Sequence, residues 1–187
     1  MVRTFDDAWG YTGSIGSVGS YTKEELELFW EALMETPDMS SYCEIGCSEG
    51  RSTSLILQAA IDKNCNLIVI DSFEEGGPEV ASRFMRNILP LRWAFILSIS
   101  RSETYADAIQ SPVFDLVHID GGHEAEVVTK DCLTFLPSVR PGGFAVFHDY
   151  GNDGLPAVTE AVNSTAIGDL WDKFGLVNHC LVLRRLG

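Results

Sequence analysis

The chain has 187 residues, of which 45% are hydrophobic and 21% charged, as expected for one globular domain with a full core. Its 27 acidic residues outnumber 13 basic ones and leave a formal net charge of −14. That balance argues against a nucleic-acid binder and against docking on an anionic membrane, both of which call for a basic face.

In chain order, Met1-Val2-Arg3-Thr4-Phe5-Asp6-Asp7 lacks the apolar core of a signal peptide. Residues 5–20 are rich in Gly and Ser and include Trp9 and Tyr11; they read as a loop, serving as a lid or as the arm of a homodimer. Thr22-Lys23-Glu24-Glu25 is a capping box, and the helix it starts is expected to run to about Glu35 with Leu26, Phe29, Trp30 and Leu33 on one face. Five apolar runs follow: Tyr42–Gly46, Leu67–Asp71, Trp93–Leu97, Phe114–Asp120 and Gly143–His148. Helical patterns fall at 52–62, 78–89, 103–110, 124–136 and 155–165.

This alternation predicts an α/β fold, with a doubly wound, mostly parallel sheet of seven strands and helices on both faces. Pro141-Gly142-Gly143 reads as a turn feeding the fifth run. The last run, Leu176–Leu183, follows Trp171–Phe174 too closely for a helical crossover, so the final pair is expected to be antiparallel. No linker or repeat divides the chain, which reads as one domain: an N-terminal loop, 1–20, and a Rossmann-like core, 21–187. Five cysteines, Cys43, Cys47, Cys65, Cys132 and Cys180, mostly sit in apolar runs and are expected to be reduced and buried in a cytoplasmic protein. No stretch reaches the roughly 18 apolar residues of a membrane span.

One turn carries most of the functional information: Glu44-Ile45-Gly46-Cys47-Ser48-Glu49-Gly50-Arg51-Ser52. An apolar run leads into it, a helical pattern follows, and Asp71 closes the next run. Strand, glycine turn, helix, strand and acid is the arrangement by which an α/β sheet holds a nucleoside, the acid accepting hydrogen bonds from the ribose hydroxyls. The spacing Gly46-x-x-x-Gly50 is not the dinucleotide G-x-G-x-x-G, and Gly50-Arg51-Ser52 is not a P-loop. An acid at position 44 suits an amine better than a phosphate, which points to S-adenosyl-L-methionine: amine, carboxylate and ribose without phosphate.

The turn resembles the first motif of class I S-adenosylmethionine-dependent methyltransferases, nearest to small-molecule O-methyltransferases of the catechol and macrocin type. Four segments match in order, Glu44–Ser52, Val69–Phe73, Asp115–His123 and Pro141–Tyr150, over about residues 40–150. The resemblance implies that Gly46 and Gly50 line the methionine part of the cofactor, that Ser52 binds its carboxylate and that Glu44 lies near its amine. It implies Asp71 on the ribose and Ser102 near the adenine, with Ser48, Ser72 and Asp120 completing the cofactor set. For the glycines a plain tight turn is the alternative, and for Asp71 a helix cap.

Asp120 closes the fourth run, and His148 and Asp149 the fifth, so the topology brings Asp120 and Asp149 together at the carboxyl ends of adjacent strands. In metal-dependent relatives matching positions hold Mg²⁺ or another divalent cation, which implies a metal set of Asp120, His148 and Asp149. His148-Asp149 stands where the catechol enzymes carry Asp-Asn, and imidazole suits Mn²⁺, iron or zinc better than Mg²⁺. Either the metal differs, or His148 hydrogen-bonds within the site. His123 stands where those enzymes have a lysine base and is the candidate general base, with Asp120 beside it; the alternative is a residue at a helix N-terminus with no role in the reaction. His118, inside an apolar strand, is expected to be a satisfied core histidine, Cys47 a packing thiol, and His179 carries no assignment.

The acceptor is expected to be a small hydroxylated molecule such as a sugar or polyketide-type product. Trp9, Tyr11, Phe73, Trp93 and Tyr150 are candidates to wall its pocket, though ordinary packing accounts for any one of them. A metal-free O- or N-methyltransferase, an inactive cofactor-binding module and, last, a nicotinamide dehydrogenase are the competing readings.

Overall fold

A computed structural model describes residues 3–16, 21–105, 109, 111–166 and 168–187. Its elements are α1 (Phe5–Thr12), α2 (Lys23–Glu35), β1 (Ser41–Ile45), α3 (Arg51–Lys63), β2 (Asn66–Asp71), α4 (Gly77–Ile88), β3 (Ile96–Ile99), β4 (Phe114–Ile119), α5 (Ala125–Phe135), β5 (Val139–Phe147), α6 (Pro156–Thr165), β6 (Trp171–Val177) and β7 (Cys180–Arg185). They form a seven-stranded sheet in the order β3-β2-β1-β4-β5-β7-β6. The first five strands are parallel, and β7 runs antiparallel to both β5 and β6. No helix among the described residues is long and apolar enough to cross a membrane.

Strand alternation divides the core into two layers, because successive side chains point to opposite faces. Tyr42, Leu116, Phe144 and Val146 pack under α1–α4, while Cys43, Ile45, Val117, Ile119 and Phe147 pack under α5 and α6. Glu44 and His118 take polar places on the first of these faces, opposite each other in the β1–β4 register. All five cysteines are free and buried, as expected.

Three readings of the sequence need correction. The segment 5–20 is not wholly a loop. Thr4 caps α1 reciprocally with Asp7, and Phe5, Ala8 and Thr12 are buried; the Asp three residues after Thr4 completes a capping box that the surrounding Gly and Ser obscured. The remainder, 17–20, lies outside the described residues. The third strand starts at Ile96 rather than Trp93, because Arg92 leaves a short 3₁₀ turn in the left-handed region and Trp93 Nε1 donates to the Cys65 carbonyl instead of joining the sheet. Of the helix expected over 103–110, the described residues form one 3₁₀ turn, Ser102–Tyr105; 106–108 and 110 lie outside them. In addition, Pro141-Gly142-Gly143 lies within β5, where a register shift opposite Phe114–Leu116 accommodates it.

Candidate active site

The carboxyl ends of β1–β5 border a cleft of about 520 Å³. Its floor is the turn after β1. Gly46 has φ +80°, and a Cβ there would lie 2.0 Å from the Asp120 carbonyl oxygen. Gly50 has φ +89°, and its Cβ would press on Ile88 and Phe84. Both glycines are thus required by close approach of the protein to itself, not only by approach of a ligand.

Asp71 organises this turn. Its Oδ2 accepts from the backbone N–H of Cys47 at 2.8 Å and of Ser48 at 3.1 Å, and its Oδ1 from Phe73 N–H at 2.7 Å. Oδ2 thereby uses both its lone pairs and Oδ1 retains one; Asp71 lines the cleft together with Ser48 and Ser72. Ser72 Oγ accepts from Glu74 N–H at 3.3 Å.

Glu44 does not line the cleft. It is fully buried beneath the turn, accepting from Ser52 Oγ at 2.6 Å, Thr53 Oγ1 at 2.5 Å and facing His118 Nδ1 at 3.2 Å. The Ser52 hydroxyl is therefore turned inward, although Ser52 itself borders the cleft. What α3 offers there is its first turn, which no side chain caps and whose backbone N–H groups suit a carboxylate. His118 is buried and bonded on both nitrogens, to Glu44 and to Tyr21 Oη at 2.6 Å.

Asp120, His123, His148 and Asp149 converge at one end of the cleft. His148 Nδ1 lies 3.3 Å from Asp120 Oδ1 and 3.2 Å from Asp149 Oδ2; His123 Nε2 lies 3.3 Å from Asp149 Oδ2. Asn152 Nδ2 donates to Asp149 Oδ1 at 2.8 Å. Burial disfavours the His148 imidazolium, yet its bonds to Asp120 and Asp149 prevail and raise its pKa to about 10. Burial also pushes the Asp149 carboxyl up, but His123, His148 and Asn152 hold it far below the usual range. The bond to Asp149 raises the His123 pKa against the effect of burial.

Asp120, His123 and Asp149 each offer one donor atom within 4.8 Å of the others. His148 is buried behind the two carboxylates, with Nδ1 aimed at both. Burial and the nearby Asp71 carboxylate push the Cys47 thiol far above its usual pKa, consistent with packing.

Two cleft residues escaped the sequence reading. Tyr21 stacks on His148; it precedes the capping box and carries no signal in sequence. Asp131, buried behind the cleft, accepts a hydrogen bond from Ser102 Oγ. Asp131 had a signal: it shares the buried face of α5 with Val128, Cys132 and Phe135, where an acid is out of place. Of the five aromatics considered for the acceptor, Phe73 alone lines the cleft. Tyr11 Oη donates to the Asn87 carbonyl, Tyr150 Oη to Asn163, and Trp9 lies against Arg51.

A cleft of this kind at the strand ends of such a sheet defines a Rossmann-like α/β architecture. Residues 43–150 match the family of methyltransferase domains, and the chain belongs to that family. The uncharacterized protein R132 of Acanthamoeba polyphaga mimivirus is 33% identical over 134 residues, 67% of this chain, and the match spans 59% of that relative's length. An O-methyltransferase from Bacillus cereus in complex with S-adenosylhomocysteine superposes with a TM-score of 0.71 at 11% identity, covering 98% of this chain and 90% of that one. CalS11, a TDP-rhamnose 3'-O-methyltransferase of calicheamicin biosynthesis, does so at 0.63 and 13%, covering 86% and 78%. At such identities the likeness to these two structures is one of fold.

Proposed function

We propose that this chain transfers the methyl group of S-adenosyl-L-methionine to a hydroxyl of a small molecule, with His123 as the base. The observation that carries the reading is the placement of the Asp149–His123 pair beside Asp120, in the same cleft as the Asp71-organised turn. In that cleft Asp71 accepts from the ribose hydroxyls, and the first turn of α3 binds the methionine carboxylate. Asp149 accepts from His123 Nε2, which leaves Nδ1 as the proton acceptor and fixes the ring. The acceptor oxygen loses its proton to Nδ1 and attacks the methyl carbon; the carbon–sulfur bond breaks, its electron pair stays on sulfur, and neutral S-adenosylhomocysteine remains. The sulfonium is already activated, so alignment and proton removal are what the protein supplies.

The second reading is favoured by the proximity of donor atoms on Asp120, His123 and Asp149. Two carboxylates and an imidazole, with cationic His148 behind them, fit a Mn²⁺- or Fe²⁺-like ion better than Mg²⁺. Held there, a divalent cation would lower the pKa of an acceptor hydroxyl. His148 then orients the carboxylates instead of ligating.

Around the cleft Glu49, Glu74, Glu75, Glu103 and Glu124 outnumber the lining arginines Arg51 and Arg101; Arg101 is paired with Glu74, and Arg83 and Lys130, outside the lining, pair with Glu49 and Glu103. This field disfavours phosphate-bearing acceptors such as the TDP-sugar named for CalS11 and suits an uncharged or cationic hydroxylated molecule. The test is calorimetric titration of metal-stripped protein with S-adenosylmethionine and S-adenosylhomocysteine, with and without Mn²⁺. Binding that Asp71→Ala abolishes is expected. Absence of binding under every condition sinks the proposal, and a Mn²⁺ effect lost in Asp149→Ala selects the metal reading.

A further inference from the structure

The two edges of the sheet are built differently. β6 carries Asp172 and Lys173, both exposed, and its register with β7 shifts between Lys173 and Gly175. Charges and irregularities of this kind keep an edge strand from pairing with another chain. β3 has neither. Its register with β2 is unbroken, and no charged residue stands between Arg92 and Arg101. Ile96 and Ile99 are 61% and 68% exposed. Among the described residues β3 pairs with β2 alone, so the backbone N–H and C=O groups on its outer edge have no strand to bond. Apolar surface continues on both faces beside the strand. Met85 of α4 and Leu89 just after it are exposed on one face. On the other opens an apolar groove of about 580 Å³, lined by Ile68, Ile96, Tyr105 and Val113 among others.

A strand fits this edge, and the charges at the two ends of β3 decide whose. Arg92 stands before β3; its side chain is exposed and pairs with no acid among the described residues. Glu103 stands after it, exposed and held only loosely, 3.9 Å from Arg101 and 3.8 Å from Lys130. A strand with a free cation at one end and an acid at the other complements itself when the copies run antiparallel. We infer that two copies of this chain pair through β3, antiparallel about a two-fold axis, joining their seven-stranded sheets into one. Arg92 of each copy then meets Glu103 of the other. The axis is normal to the sheet, so α4 lies beside α4 and groove beside groove, and Met85, Leu89 and Ile96 leave water. α1, the alternative arm, spends its polar contacts on its own chain, Thr12 on Ser54 and both Ala8 and Thr12 on Gln58. Residues 96–99 lie outside the cleft, so this inference stands apart from the methyl-transfer reading.

The test is sedimentation equilibrium of the ligand-free protein over a series of concentrations. A dimer with a dissociation constant of about 1–10 μM is expected. Ile96→Lys guards the edge with a charge at an exposed position, so it should raise that constant at least about tenfold while the circular dichroism stays unchanged. Arg92→Glu should weaken the dimer by about as much, and Arg92→Glu combined with Glu103→Arg should restore it to within about threefold of wild type. Amide hydrogen exchange over residues 96–99 should slow as the wild-type dimer forms and stay fast in Ile96→Lys. A monomer at every concentration overturns the inference and leaves the edge to a strand of another protein. A dimer that Ile96→Lys leaves intact also overturns it and moves the interface elsewhere.

Discussion

The Tyr21 ring lies 3.9 Å from the His148 ring, centroid to centroid, tilted by 34°. The same tyrosine's hydroxyl is 2.6 Å from His118 Nε2, and His118 Nδ1 faces Glu44. With a carboxylate on Nδ1, that nitrogen carries the proton, and Tyr21 Oη donates to Nε2. A single side chain thus joins the buried Glu44–Ser52–Thr53 network beneath the turn after β1 to the histidine that holds Asp120 and Asp149. Tyr21→Phe keeps the stack and leaves Nε2 unpaired, which should cost about 1–3 kcal/mol in urea denaturation. Tyr21→Leu should cost at least as much and also release His148. Imidazole NMR signals of His148 are expected to move in the leucine variant and stay in the phenylalanine one; equal movement in both would refute the clamp.

The His148–Asp149 pair sets a pH window. His148 has a folded pKa raised from 6.5 to about 10, so its stabilisation is complete below the unfolded value and fades as pH rises toward 10. Asp149 has a lowered pKa, so its contribution is complete above 3.8 and fades in acid. The difference in melting temperature between wild type and His148→Asn should therefore be largest near pH 5–6 and shrink steadily into the alkaline range. A difference independent of pH would mean that His148 stabilises by packing alone.

Gly46 and Gly50 should respond differently to alanine. At Gly46 the new Cβ meets a backbone carbonyl, Asp120 O, at 2.0 Å, so β1 and β4 must separate where they frame the cleft. At Gly50 the Cβ meets the flexible end of Ile88 at 3.0 Å, and the strain of φ +89° costs about 1–2 kcal/mol. Gly46→Ala is expected to abolish binding of S-adenosylhomocysteine, and Gly50→Ala to weaken it while the protein stays folded. Circular dichroism with calorimetry separates the two outcomes.

Strand–helix alternation and the end-of-strand acids were legible in sequence because both follow local patterns. The runs around Cys43 and Val117 are mostly apolar because α/β strands are buried on both faces; Glu44, Asp115 and His118 are the buried polar exceptions. The N-terminal helix was missed because its capping box, Thr4 to Asp7, ends in Asp instead of Glu. Glu44 was expected at the ligand and lies beneath the turn, because Ser52, Thr53 and His118 offer it donors that only the folded register brings near. The adjacency of β4 and β5 was expected and brings Asp120 and Asp149 together, but the His123–Asp149 pairing also needs a left-handed Asp149 at φ 59°, which a linear reading does not specify.

Asp131 makes the last prediction, on the stability of the ligand-free protein. Burial raises its pKa from 3.8 to about 6, against the opposing bond from Ser102. An acid whose folded pKa is raised binds its proton more tightly in the folded state, so stability falls as pH climbs from about 4 to 6, and the penalty persists above that range. The shift corresponds to about 3 kcal/mol at neutral pH, as an order of magnitude. Asparagine carries no such penalty and still accepts from Ser102. Asp131→Asn should therefore melt several degrees above wild type at pH 7–8 and level with it near pH 4. A variant that is less stable at pH 7 would show that the carboxylate has a further donor within the protein besides Ser102.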